Sequence, residues 1–282
     1  MSTTDSSSSP SVTSRSGATA GGTTNERSTL RAVGMPTEHG GWSLTLEPAV
    51  LGLLVAWSWA GLALGVAAMF AFLARTPLKL VLVDRWRNRW LERTRVAARL
   101  AAVELVVLGL LIVMAVLRSN ASFWWPLLAA APLVAIELWF DMRSRSRRLL
   151  PELAGTVGIG SVAAAIALVG GAGGLVAFGL WVVVATRGAA AIPYARTQVF
   201  RTRGKPHDLW HSDLAQALAA AAVVVGWLAG AVPLAAAIAI VLVTVFNIGA
   251  VRLTPQPAKI IGLQQMFFGI TVVVVTTLAV SV

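Results

Sequence analysis

Long apolar runs separated by short polar interruptions dominate the chain from about Ser43 onward. Before them, Met1 to Arg31 is mostly Ser, Thr and Gly, with almost no large apolar residue. Such a segment cannot bury enough surface to offset the entropy of ordering. Residues 1–35 are therefore expected to be a disordered tail, and 36–282 to form a transmembrane helical domain. Crossing a bilayer takes roughly 20 apolar residues, with a range of about 17–25. The pattern predicts nine segments, at 43–59, 61–83, 98–117, 123–141, 152–169, 174–193, 213–230, 232–250 and 261–281. Backbone polar groups in lipid must be satisfied within their own segment, so each is expected to be a helix. The expected fold is all-α, a polytopic transmembrane helical bundle of about nine spans. Segment one is short and contains Glu47 and Pro48; were it re-entrant, eight spans would remain.

Composition sharpens this picture. The chain is 57% hydrophobic and only 12% charged, with a mean hydropathy of +0.76, whereas soluble proteins carry about 25% charged residues. A water-soluble fold is excluded. The absence of cysteine excludes disulfides, thiolate catalysis and cysteine-based metal sites. No apolar h-region lies near Met1, so a cleaved signal peptide is not expected.

The net charge of +11 would suggest nucleic acid in a soluble protein. Here it follows topology instead. Arginines crowd the exits of segments two (Arg85, Arg87, Arg89, Arg93, Arg95, Arg99), four (Arg143, Arg145, Arg147, Arg148) and six (Arg196, Arg201, Arg203, with Lys205). Arg252 and Lys259 follow segment eight, and the opposite loops hold only Arg118. Basic loops mark the cytoplasmic side. The N-terminal tail is therefore expected inside and the C-terminus outside, with no nucleic-acid partner. Trp42, Trp57, Trp59, Trp124, Trp125, Trp139 and Trp227 fall near segment ends, where amphipathic rings prefer the interface.

A weak internal repeat accompanies the alternation. Pro77, Arg85, Arg87 and Arg89 recur as Pro193, Arg201, Arg203 and Lys205 at a constant offset of 116 residues. Arg75 and Arg187 each lie inside the preceding helix. The spacing suggests two four-helix halves plus a ninth helix, with a site between the halves.

Ionisable groups inside spans are costly, which makes them functional candidates. They are Glu47, Arg75, Glu104, Glu137 and Arg187, with Asp141 and Glu152 near helix ends. Glu47 precedes Pro48, which removes a backbone hydrogen bond. It suits a ligand site or an internal ion pair with Arg75 or Arg187 equally well. Glu38 and His39, in the stretch Pro36-Thr37-Glu38-His39-Gly40-Gly41-Trp42, suit proton transfer or a site edge, or simply a helix cap. Arg75, Lys79, Arg196 and Arg201, with Arg187, are candidates for an anionic head group, since guanidinium forks match phosphate oxygens. The alternative is insertion signalling alone. His207 and His211 are four apart, so a helix would put both on one face, but no third strong metal ligand accompanies them. A solvated loop capped by Ser212 or Asp213 is the preferred reading there. No metal site and no cofactor are expected, and no catalytic residue is identified.

Pro36-Thr37-Glu38-His39-Gly40-Gly41-Trp42, Arg75-Thr76-Pro77-Leu78-Lys79, Pro193-Tyr194-Ala195-Arg196 and Ile261-Gly262-Leu263-Gln264-Gln265 together resemble the YwiC-like family of bacterial integral membrane proteins. The resemblance covers about 36–281. It implies a bacterial cytoplasmic membrane and adds Tyr194 to the candidate ligand-binding residues, but it carries no reaction. A more distant topological likeness is to the UbiA prenyltransferase superfamily, with nine spans and functional loops after helices two and six. Those enzymes hold Mg²⁺ and diphosphate on aspartate-rich motifs. Here the first loop has only Asp84 and Asn88, and the second only Asp208 and Asp213, so an ordinary Mg²⁺-dependent prenyltransferase is not expected.

Three functions fit these features. The first is binding of membrane lipid, an anionic isoprenoid or lipid head group, at a cytoplasmic-side arginine cluster. The second is secondary transport of a small anion, with Arg75 and Arg187 as counter-charges and Glu47 as a coupling group. The third is assembly of another membrane complex.

Overall fold

The computed structural model describes residues 39–119, 122–145 and 148–281. The tail at 1–35 and Glu38 lie outside these residues. The described residues form nine α-helices and no strand: α1 (His39–Val55), α2 (Trp59–Trp86), α3 (Glu92–Leu117), α4 (Trp124–Met142), α5 (Leu149–Val169), α6 (Gly174–Thr202), α7 (Trp210–Leu228), α8 (Leu234–Ala250) and α9 (Ala258–Ser281). Seven are long and apolar enough to cross a membrane; α1 and α8, at 17 residues each, are the shorter apolar ones. At about 1.5 Å per residue each still extends about 25 Å. The protein is a polytopic helical bundle. Pro48 is accommodated inside α1, which continues as one helix on both sides of it.

The helices outrun the predicted segments mainly at the arginine-rich face. α3 begins at Glu92 and not at 98, and α6 ends at Thr202 and not at 193. The apolar count stops where charge begins, but the chain stays helical in the hydrated interface. Pro193 does not end α6, because the turns beyond it have packing of their own. Tyr194 is buried with Val251 and Ile261, and Gln198 is buried beside them.

α1 and α5, the first helices of the two sequence halves, pack against each other at the centre of the bundle. Ala163 to Leu168 are all buried there, with Leu51, Ala60, Leu64 and Leu180. α2 and α6 each pack on both central helices. α3 packs on α2 through Ala97, Ala101 and Glu104, three or four residues apart as one helical face requires. Its other side exposes Val106, Leu110 and Leu117. In water these would form a large apolar patch; in a bilayer they meet lipid.

Candidate functional site

The deep arginines are both paired. Arg187 of α6 is 4% exposed, and its Nη1 lies 2.9 Å from Glu47 Oε2 of α1. Its Nη2 donates to the Gln265 carbonyl of α9. Arg75 of α2 meets two acids of α4, with Nη2 2.8 Å from Glu137 Oε1 and Nε 3.0 Å from Asp141 Oδ2. Lys79, one turn on, lies 3.4 Å from Asp141 Oδ1. The repeat spacing suggested a site between the two halves. Each arginine is held by its own acids on different helices; Arg187 is buried, whereas the Arg75 side chain is 31% exposed. Arg75 and Lys79 are thus engaged by α4, and Arg187 by α1.

Sequence reading missed a row of buried amides joined to the Arg187 pair. Gln216 Nε2 donates to the Ala190 carbonyl (2.8 Å), Asn247 Nδ2 to Gln216 Oε1 (3.3 Å) and Gln265 Nε2 to Asn247 Oδ1 (3.1 Å). The row links α6, α7, α8 and α9 at one depth, near their arginine-rich ends. Gln198 lies nearby and donates to the Ala250 carbonyl (3.1 Å) and to Tyr194 Oη (3.4 Å). Tyr194 Oη donates in turn to Gln264 Oε1 (3.4 Å), and Arg201 donates to the Val251 carbonyl. Tyr194 and Arg201 therefore tie α6 to the α8–α9 connection. The signal available in sequence was single Gln and Asn residues within apolar spans, whose side chains must find partners in lipid.

At the arginine-rich end of α5, α6 and α7 lies a cleft of about 280 Å³. Arg196, His207, His211 and Asp208 supply its polar groups, and Leu149, Pro193 and Phe200 its apolar wall. Arg196 Nη1 is 3.4 Å from Glu152 Oε2, and its guanidinium stands 5.2 Å from the Phe200 ring centroid. The Trp210 ring stacks on His211 at 3.8 Å between centroids. A solvated loop does lead into α7, with His207 and Asp208 exposed on it, but the expected cap needs correction. α7 starts at Trp210, and Ser212 is fully buried within it and caps nothing. Asp213 forms a two-pronged pair with Arg252, at 3.0 and 2.7 Å, whose hydrogen bonds hold that guanidinium above its ordinary pKa range.

Asp84 and Asp213, acids of the two loop regions, have structural partners. Asp84 Oδ2 accepts a 2.6 Å hydrogen bond from Thr94 Oγ1, with both residues buried where α2 turns into α3. Asn88 makes that turn with φ +50°, a left-handed conformation that Asn tolerates. Among the described residues, no three His, Asp or Glu side chains gather as a metal-holding group. His39 opens α1, but its side chain lies outside the described part.

Among known proteins, a family model described as YwiC-like protein matches residues 35–167, a little under half of the chain. The match spans α1 to most of α5, and so includes Glu47, Arg75, Glu137 and Asp141. No curated protein and no solved structure matches the chain.

Proposed function

We propose that this multi-pass membrane protein, of YwiC-like type over residues 35–167, binds the anionic head group of a membrane lipid in the cleft of α5, α6 and α7. The arginine-rich face is the cytoplasmic face of a bacterial membrane in this reading. What carries it is one juxtaposition: Arg196 and two histidines share the cleft with the apolar wall of Leu149, Pro193 and Phe200. A guanidinium fork and imidazole N–H groups suit phosphate oxygens, and the apolar wall suits the first part of an isoprenoid or acyl chain. Arg75, Lys79 and Arg187 do not line this cleft and are engaged by Glu137, Asp141 and Glu47, whereas Arg196, though 3.4 Å from Glu152, lines it with a side chain 35% exposed. Basic clefts between helices on the cytoplasmic side suit anionic lipids for the same reason.

The test is thermal unfolding in vesicles of phosphatidylcholine with and without an anionic lipid. A ligand at about 100 times its dissociation constant stabilises by about 2.7 kcal/mol. The added lipid is expected to stabilise the wild type and Arg95→Gln, and to leave Arg196→Gln and His211→Ala unchanged. Equal stabilisation of all four would overturn the cleft as the site.

A further inference from the structure

Several buried polar atoms are reached by no described group; three of them belong to one connected set and a fourth lies one helical turn from its end. Glu47 Oε1, Arg187 Nε and Gln265 Oε1 sit on residues that bond to one another. Ser212 Oγ is the fourth, and it lies four residues before Gln216 on the same face of α7. Between these ends runs the amide row Gln216–Asn247–Gln265. Unpaired polar atoms are expensive in an apolar interior, and buried water meets them in folded proteins. The inner three atoms are two acceptors and one donor, which complements a water that donates twice and accepts once. Gly269 borders the same place, where a Cβ would fall on the Glu47 carboxylate. At the outer end, Ser212 follows His211, which lines the cleft at the arginine-rich face.

We propose that Glu47 is a proton-binding site within the membrane domain, supplied from the arginine-rich face by water threaded along Ser212, Gln216, Asn247 and Gln265. A hydronium gives its proton to the Glu47 carboxylate. One O–H bond forms at Glu47, one breaks in hydronium, water is released and no electrons move. Arg187 keeps its charge and its bond to the Gln265 carbonyl. The helices packed on α1 are α2, α5, α6 and α9. The charged group they bring to Glu47 among the described residues is Arg187. Arg75 and Lys79 of α2 meet α4, while Asp84 and Arg85 lie at the far end of α2, where Asp84 bonds Thr94. Glu152 of α5 meets Arg196 of α6, Arg201 of α6 meets Val251, and Lys259 of α9 is exposed. Glu47 is not among the residues that line the lipid cleft, although the outer end of the row adjoins His211 there, and either site can fail without the other.

Infrared difference spectroscopy of the protein in lipid, an acidified sample minus a neutral one, tests the proposal. A protonated-carboxyl band is expected in wild type and in Arg196→Gln, shifting promptly in D₂O and absent in Glu47→Gln. Gln216→Leu, which cuts one link of the row, should slow the D₂O shift by about tenfold. If Glu47→Gln does not fold, Glu47→Asp carries the test, because its shorter carboxyl must move the band. A band unchanged in the Glu47 variants, or no titrating carboxyl in wild type, overturns the proposal.

Discussion

Gly269 of α9 faces the Glu47 carboxylate of α1 so closely that a Cβ at 269 would coincide with it. A hydrogen at that position lets α9 approach α1 while the carboxylate stays on Arg187. Gly155 of α5 stands in the same relation to the Glu137 carboxylate, 2.6 Å from where its Cβ would be. Each deep arginine is therefore met by an acid seated on a glycine of a neighbouring helix. Gly269→Ala should destabilise by about 1–3 kcal/mol, the usual cost of overpacking a core. Thermal unfolding in detergent measures it, and an alanine at the exposed, open Gly262 should cost nothing comparable.

The two classes of ion pair should separate by stability. Arg187→Leu leaves the Glu47 carboxylate buried without its partner and should cost about 3–5 kcal/mol. Replacing Glu47 and Arg187 together by apolar residues should recover much of that loss. Arg196→Gln breaks a pair whose side chains are about one-third exposed, 35% and 34%, and should cost about 0–1 kcal/mol. Unfolding midpoints of the variants, without added lipid, provide the comparison.

At the α2–α3 turn, Asp84→Ala should cost about 1–3 kcal/mol by leaving the buried Thr94 hydroxyl without its acceptor. Asp84→Asn, which retains an acceptor oxygen, should cost less. If Asp84 instead held a ligand at this loop, both variants would lose binding with stability unchanged.

Most of the helical architecture was legible in the apolar pattern, because lipid permits few alternatives to a continuous helix. The ends were less legible, since turns such as Tyr194 to Thr202 are held by tertiary contact with Val251, Ile261 and Ala250 and not by hydropathy. Glu47 with Arg187 was one of two pairings the sequence allowed. That Arg75 would meet Glu137 and Asp141 required knowing that α4 packs beside α2. The cleft was the least legible feature, because Arg196 and His211 are brought together only by the folding of α6 against α7. The amides Gln216 and Asn247 carry no charge, and they drew no notice until their hydrogen bonds could be traced across four helices.

Nine crossings would put the two ends of the bundle on opposite faces; seven helices are long and apolar enough to cross, while α1 and α8 have only 17 residues. Reporter fusions at Gly204, in the arginine-rich loop after α6, and at Ser281 should give opposite signals, with Gly204 cytoplasmic. The same signal at both positions would mean that one helix does not cross.

The most direct measurement of the lipid-cleft reading is native mass spectrometry of gently purified protein. The wild type and Arg95→Gln should retain an anionic lipid as a discrete added mass. Arg196→Gln and His211→Ala, folded by the criterion of their unfolding midpoints, should lose it. Equal retention of the same lipid by all four proteins would contradict the assignment and reduce the arginine clusters to signals of orientation.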